Sequence, residues 1–194
     1  MQSKHIIINV GRQLGSGGHD IGRMLALDFG AKYYDRELLN LAAKESGLSE
    51  HIFEQNDERK SFLRSFLHLP NGLTNGYDRQ GFSQDSFFQF QSEAIRKAAD
   101  EGSCVFVGRC ADYVLRDYKN VVNVFITASI DFRVEQIMTK QMFATPQEAR
   151  RFIEQRESRR ADYYNYYTGK KWGHATSYDL CIDSSILGLM ETDS

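Results

Sequence analysis

A glycine-dense turn wedged between an apolar run and an amphipathic one constrains this chain more than any other feature. Ile6-Ile7-Ile8-Asn9-Val10 reads as a buried strand, residues 5–10 in all, and Ile21 to Phe29 reads as a helix. Between them lies Gly11-Arg12-Gln13-Leu14-Gly15-Ser16-Gly17-Gly18-His19-Asp20. Glycines let a backbone approach an anion closely. The free amides at a helix start point toward it, and the helix dipole favours negative charge there. Gly11, Gly15, Ser16, Gly17, Gly18 and His19 are therefore the candidate phosphate-binding residues.

Several turn motifs compete for this segment. The standard phosphate-binding P-loop reads GxxxxGK[ST]. With Gly11 and Gly17 taken as its framing glycines, the Lys place holds Gly18 and the Ser/Thr place holds His19. A dinucleotide fingerprint, G-x-G-x-x-G, fails because Asp20 stands at its last position. A nucleophile elbow, G-x-S-x-G, fails because position 14 is Leu, so Ser16 is not a hydrolase nucleophile. A ligand-free turn is the bland alternative. Against it, four glycines between Gly11 and Gly18 cost backbone entropy without adding packing. The missing Lys removes one charge-assisted contact of about 1.5–3 kcal/mol. That loss does not abolish anion binding by backbone amides, and Arg12, inside the loop, can supply replacement charge.

Composition narrows the class. A chain of 194 residues is long enough for one compact α/β domain. Its net charge of −2 argues against a nucleic-acid binder. No apolar run approaches a membrane span, and no secretory leader is visible, so a cytoplasmic protein is expected. Three cysteines, Cys104, Cys110 and Cys181, lack metal or disulfide spacing. Cys104 and Cys181 read as core residues. Cys110 follows Arg109, which could lower its pKa, although a reactive thiol there is the minor reading. The five histidines show no metal spacing.

The order of elements points to an open sheet. Strands are expected at 5–10, 32–34, 103–107, 121–127 and 178–182. Helices are expected at 21–29, 36–46, 50–59, 84–100, 111–116, 129–141 and 146–167. Thr145-Pro146-Gln147-Glu148 is a helix start with a capping box and Pro at the first helical position. Alternating strands and helices imply an α/β fold: a three-layer α/β/α domain spanning 1–194, with a mostly parallel five-stranded sheet. Residues 69–82 carry two Asn-Gly steps and read as a loop.

Taken together, these pieces resemble the cytidylate kinase-like family within the nucleoside monophosphate kinase group of P-loop proteins. Gly11-Arg12-Gln13-x-Gly15-Ser16-Gly17-Gly18 is similar to that family's modified P-loop, where the Lys is also commonly absent. Tyr33-Tyr34-Asp35 with Glu37-Leu38 resembles its second-strand motif. Val105-Phe106-Val107-Gly108-Arg109-x-Ala111-Asp112-Tyr113 resembles its third-strand motif. Arg160-Ala161-x-Tyr163-Tyr164, Thr168-Gly169 and Trp172-Gly173 resemble its lid and the following loop, and Tyr178 to Ser184 its last strand. The resemblance implies ATP and Mg²⁺ as cofactors and phosphoryl transfer to a nucleoside monophosphate, CMP-like, or a related small acceptor. It implies a helical lid at about 145–172 and a mobile acceptor-side segment at about 61–82.

Candidate roles follow. Phosphoryl transfer needs an anion cradle, cations, a metal site and an acceptor site. Arg12 adds charge beside the cradle, or forms a surface ion pair. Residues 150–171 hold seven basic side chains against three acidic ones. Arg156 and Arg160, four apart, share a helix face there. In the resembled kinases, lid arginines close over the phosphates; one register slip would exchange Arg160 for Arg159. In true cytidylate kinases the Gly-Arg-Asp after the third strand contacts the acceptor phosphate. Gly108 and Arg109 match it, while Cys110 replaces the Asp and Asp112 is the substitute candidate. Asp35 either holds Mg²⁺ through water, orients the acceptor or caps a helix. Tyr163, Tyr164, Tyr166, Tyr167 and Trp172 stack on a base or pack together. The partners expected are small-molecule nucleotides, with no nucleic acid and no membrane; a homodimer is left open. The alternative function is a non-catalytic nucleotide- or anion-binding regulatory module.

Overall fold

A computed structural model describes residues 5–35 and 84–188. The expected helices at 36–46 and 50–59 and the segment 61–82 lie outside the described residues. Five strands, β1 (Ile7–Arg12), β2 (Lys32–Tyr34), β3 (Cys104–Val107), β4 (Val121–Thr127) and β5 (Leu180–Asp183), form one sheet in the order β2-β3-β1-β4-β5. Every neighbouring pair is parallel. β1 is central, with Ile7 level with Cys104 on one side and Val121 on the other.

Side-chain alternation divides the sheet into two apolar faces. Ile8, Val10, Val105, Val107, Val124 and Ile126 pack against Ile21 and Ala26 of α1 (Gly18–Asp28). Ile7, Cys104 and Phe106 pack against α2 (Gln84–Glu101) through Phe90, Ala94, Ile95 and Ala98. The short α3 (Ala111–Val114) joins that second layer through Ala111 and Val114. The result is the expected α/β/α arrangement with helices on both faces.

Local chemistry sets the helix ends. Ser129 caps α4 (Ile130–Lys140) by accepting from the Phe132 amide at 3.4 Å. Thr145 caps α5 (Pro146–Thr168), accepting from the Glu148 amide at 3.3 Å, with Pro146 leading the helix. The Glu148 carboxylate reaches back to the Ala144 amide at 3.1 Å. Val134 and Ile137 of α4 interlock with Ala149 and Ile153 of α5 in a third apolar cluster. α5 covers most of the stretch expected as a lid. A single turn of 3₁₀ helix (Ala175–Ser177) and α6 (Ser184–Leu187) flank β5.

Four expectations need correcting. The standard motif leaves four residues between its glycines, but five separate Gly11 from Gly17. The first-glycine place therefore falls on Arg12, which the structure makes the last residue of β1. β5 begins at Leu180 rather than Tyr178, because the Tyr178 ring turns onto Phe125, with centroids 4.8 Å apart. α3 stops at Val114 rather than Arg116. Cys181 is not in the core: among the described residues β5 is an edge strand of the sheet, and the Cys181 thiol is exposed.

Candidate active site

The C-terminal ends of β1, β2 and β3 open into a cavity of about 640 Å³. Ligands bind outside the carboxyl ends of strands in open α/β sheets. Six arginines line it: Arg12, Arg23, Arg109, Arg156, Arg159 and Arg160. Among the described residues, two carboxylates, Asp35 and Asp112, are the acidic residues of its wall. Cations from four separate parts of the chain, the end of β1, α1, the turn after β3 and α5, thus meet around one space. Gly11 and His19 line it too, whereas Gly15, Ser16, Gly17 and Gly18 do not.

Arg12 organises this end of the cavity. A Cβ placed on Gly18 would lie 2.5 Å from the Arg12 Cβ, so the Arg12 side chain fills the space beside Gly18. Arg12 Nη2 donates to His19 Nε2 at 3.2 Å. A guanidinium only donates, so the His19 proton sits on Nδ1 and donates to Tyr33 Oη at 3.1 Å. Desolvation, then Arg160 and Arg109, push the Arg12 guanidinium down to about 9, leaving it a cation at neutral pH. Desolvation, then the Arg12 charge, push the His19 imidazole down to about 4. The Arg12 Nε is buried without a hydrogen-bond partner among the described residues.

The turn itself is bolted to the end of β4. Gln13 Oε1 accepts from the Thr127 hydroxyl and from the Ala128 amide, the latter at 3.1 Å. Ser16 is fully buried; its hydroxyl donates to Gln13 O at 2.9 Å and its carbonyl accepts from Ser184 Oγ at 2.7 Å. Gly17 takes a left-handed φ of 76° as the N-cap of α1. The first bond onto its carbonyl comes from the Asp20 amide, so the Gly18 and His19 amides precede the helical ladder.

The Arg109 side is strained. Gly108, Arg109 and Cys110 have φ values of 80°, 63° and 54° in succession. Left-handed conformations cost about 1–2 kcal/mol for a residue with a Cβ, and such strain clusters at functional sites. Burial, then the nearby Asp112, push the Cys110 thiol up to about 12, with the opposing pull of Arg109 smaller. The lowering that an adjacent Arg109 could bring is thus outweighed. Asp112 is buried and accepts from Tyr164 Oη at 2.7 Å, with Lys170 Nζ at 3.7 Å. Burial raises its carboxyl above the usual value, against that hydrogen bond and charge.

Both Arg159 and Arg160 line the cavity, so lining alone does not choose between them. Arg160 Nη1 also donates to the Arg12 carbonyl at 3.4 Å. Tyr163, Tyr164 and Trp172 line the cavity, while Tyr167 stacks on Phe88 at 4.1 Å and Tyr166 points to solvent. Sequence reasoning missed Asn9, Arg23 and Tyr178 in the wall. Only Arg23 carried a signal: it stands four residues after His19 on α1, on the same helix face.

A five-stranded parallel sheet, a glycine turn after its central strand and a cation-lined cavity at the strand ends define a P-loop kinase fold. The sequence matches the cytidylate kinase-like family over residues 7–186, and the chain belongs to that family. It is similar to the crystal structure of an uncharacterized protein from Eubacterium ventriosum ATCC 27560, at 30% identity and TM-score 0.74, covering 98% of this chain and 94% of that one. A shikimate kinase from Bacteroides thetaiotaomicron shares the fold at 16% identity and TM-score 0.50, covering 92% of this chain and 86% of that one. No curated protein matches the chain. Among the described residues, no helix is long and apolar enough to cross a membrane.

Proposed function

We propose that this chain transfers the γ-phosphoryl group of ATP to a nucleoside monophosphate, CMP-like, or a related small acceptor. The observation that carries this reading is the convergence of Arg12, Arg109, Arg156 and Arg160 on one cavity beside the glycine turn. Phosphoryl transfer is catalysed mainly by positioning and charge neutralisation. An acceptor oxygen attacks the γ-phosphorus, the bond to the β–γ bridging oxygen breaks, and ADP leaves with that electron pair. Amides at Gly15, Ser16, Gly17 and Gly18 hold the donor phosphates. Arg12 stands in for the P-loop Lys, and Arg156 and Arg160 neutralise charge on the transferring group. Arg109 binds the acceptor's own phosphate, and Asp112 orients the acceptor from the cavity wall.

Mg²⁺ prefers oxygen donors and is held by one or two carboxylates plus substrate phosphates. Asp35 offers such a carboxylate on the cavity wall. His19, in the place of the usual hydroxyl, offers a nitrogen already engaged by Arg12. The residues therefore fit an ion carried in on ATP with Asp35 as its protein contact. When bound, the ion would supply charge neutralisation to the donor phosphates.

The second reading is a nucleotide- or anion-binding regulatory module without turnover. It is favoured by the simultaneous absence of the Lys and the hydroxyl from the loop. The deciding measurement is ADP formation from Mg·ATP with CMP, dCMP, UMP and AMP as acceptors. Acceptor-dependent turnover supports the kinase. Tight ATP binding with turnover at background for every acceptor supports the module.

A further inference from the structure

Glu157, on α5, lies outside the cavity and takes no part in the roles above. Its Oε1 accepts from the Leu14 amide at 3.1 Å and from Arg133 Nη1 at 2.7 Å. The pair is nearly buried, with side-chain exposures of 8% for Arg133 and 16% for Glu157. One carboxylate therefore joins the glycine turn, α4 and α5.

We propose that Glu157 is a positioning residue of the donor site: its carboxylate holds the glycine turn against α5 and so sets where Arg160 meets the donor phosphates. The proposal rests on the kinase reading above and adds a residue to it.

Three observations separate this role from simple helix pairing. First, α4 and α5 already pack through Val134, Ile137, Ala149 and Ile153. Arg133 has its own anchor, Nε donating to the Ala128 carbonyl at 3.0 Å. Second, Glu157 reaches a third element, the turn. There Gly15 sits so close to α4 that a Cβ would lie 2.7 Å from the Arg133 carbonyl, and its φ of +82° also favours glycine. The turn thus rests directly on the backbone of α4, and Glu157 closes the remaining side. Third, Glu157 and Arg160 stand three apart, neighbours on the helix surface. Arg160 bonds the carbonyl of Arg12 while Glu157 bonds the amide of Leu14. A single turn of α5 thereby grips the loop at two points, one by an anion and one by a cation. Loss of the Glu157 grip leaves Arg160 attached to a loop whose orientation to α5 is no longer set.

The test uses the full chain, with Mg·ATP affinity by titration calorimetry and the thermal midpoint of each variant. Glu157→Met removes the acceptor at similar volume and is expected to weaken ATP binding about tenfold or more. Glu157→Gln keeps an oxygen for the Leu14 amide and should retain most of the affinity. In combination with Arg160→Ala, Glu157→Met should add little further loss, because it acts through Arg160. Unchanged affinity in Glu157→Met, no rescue by Glu157→Gln, or losses that multiply with Arg160→Ala each overturn the proposal. Should Glu157→Met fail to fold with Arg133 left buried and unpaired, Glu157→Met with Arg133→Met removes both charges. That variant is expected to fold and still bind ATP weakly; wild-type affinity in it overturns the proposal. A wild-type chain that binds no ATP overturns the kinase reading and this one with it. A wild-type chain that binds ATP while the variants bind equally well overturns the positioning role alone.

Discussion

Arg12 and Gly18 exclude each other's side chains: a Cβ on Gly18 would stand 2.5 Å from the Arg12 Cβ and 2.9 Å from its Cγ. The loop can hold a cation from one position or the other. Gly18→Lys, which restores the usual motif residue, is therefore expected to lower the thermal midpoint and weaken ATP binding. Arg12→Gly alone should cost about tenfold to a hundredfold in affinity, the worth of one charge-assisted contact. Arg12→Gly with Gly18→Lys should recover most of that loss. Calorimetric titration of the three variants checks it; tighter binding by Gly18→Lys alone would show that both cations fit.

His19 should titrate far from the ordinary imidazole range. Its midpoint is expected near 4 instead of 6.5, through desolvation first and the Arg12 charge second. The folded chain thus prefers the neutral ring, while the unfolded chain takes up a proton around the ordinary value. The stability tied to this ring is complete above about 6.5 and is lost as pH falls through about 4. Imidazole NMR shifts against pH measure the midpoint, and Arg12→Ala should raise it. A wild-type midpoint near 6.5 contradicts the Arg12–His19 contact.

Thiol reactivity should separate the cysteines by exposure. Cys104 and Cys110 are buried and pushed up to about 11 and about 12, both by desolvation first, whereas Cys181 is exposed on the edge strand. With a disulfide reagent at pH 8, one thiol should react fast and two only on denaturation. Peptide mass mapping should find the fast one at Cys181. Rapid labelling at Cys110 would mean that the backbone around Arg109 opens readily.

Tyr164→Phe removes the 2.7 Å hydrogen bond to buried Asp112 and leaves Lys170, 3.7 Å away, as the remaining charge partner given by the structure. A hydrogen bond to a charged group is worth about 2 kcal/mol. For a chain of this size that is a fall of about 4–8 °C in Tm, read by scanning calorimetry. An unchanged Tm would mean that Asp112 is solvated in the folded chain.

The fold was legible because its strands are short apolar runs at βα spacing, and β1, β3 and β4 fall close to where Ile6–Val10, Ser103–Val107 and Val121–Thr127 put them. Thr145-Pro146 announced α5 through its cap and proline. Much of the cavity was legible too: Arg12, Asp35, Arg109, Asp112, Arg156 and Arg160 all reach it. What escaped depends on distance along the chain. No local pattern says that Glu157 will meet Leu14, 143 residues away, or that Tyr178 will leave its strand to cover Phe125. Cys181 misled because an apolar run does not reveal whether its strand is central or at the edge. The glycine frame misled by one residue because Gly11, still inside β1, looks like the start of the turn.

The left-handed backbone at residues 108–110 sets two selective pressures against each other. Arg109→Gly would relieve a conformational cost of about 1–2 kcal/mol at that position. The same change would delete a guanidinium from the cavity wall. A population of variants screened only for heat resistance should therefore drift toward glycine here, and one screened for ligand retention should hold arginine. If Arg109 holds the acceptor phosphate as proposed, position 109 is a place where a sturdier chain and a chain that grips its ligand are different sequences.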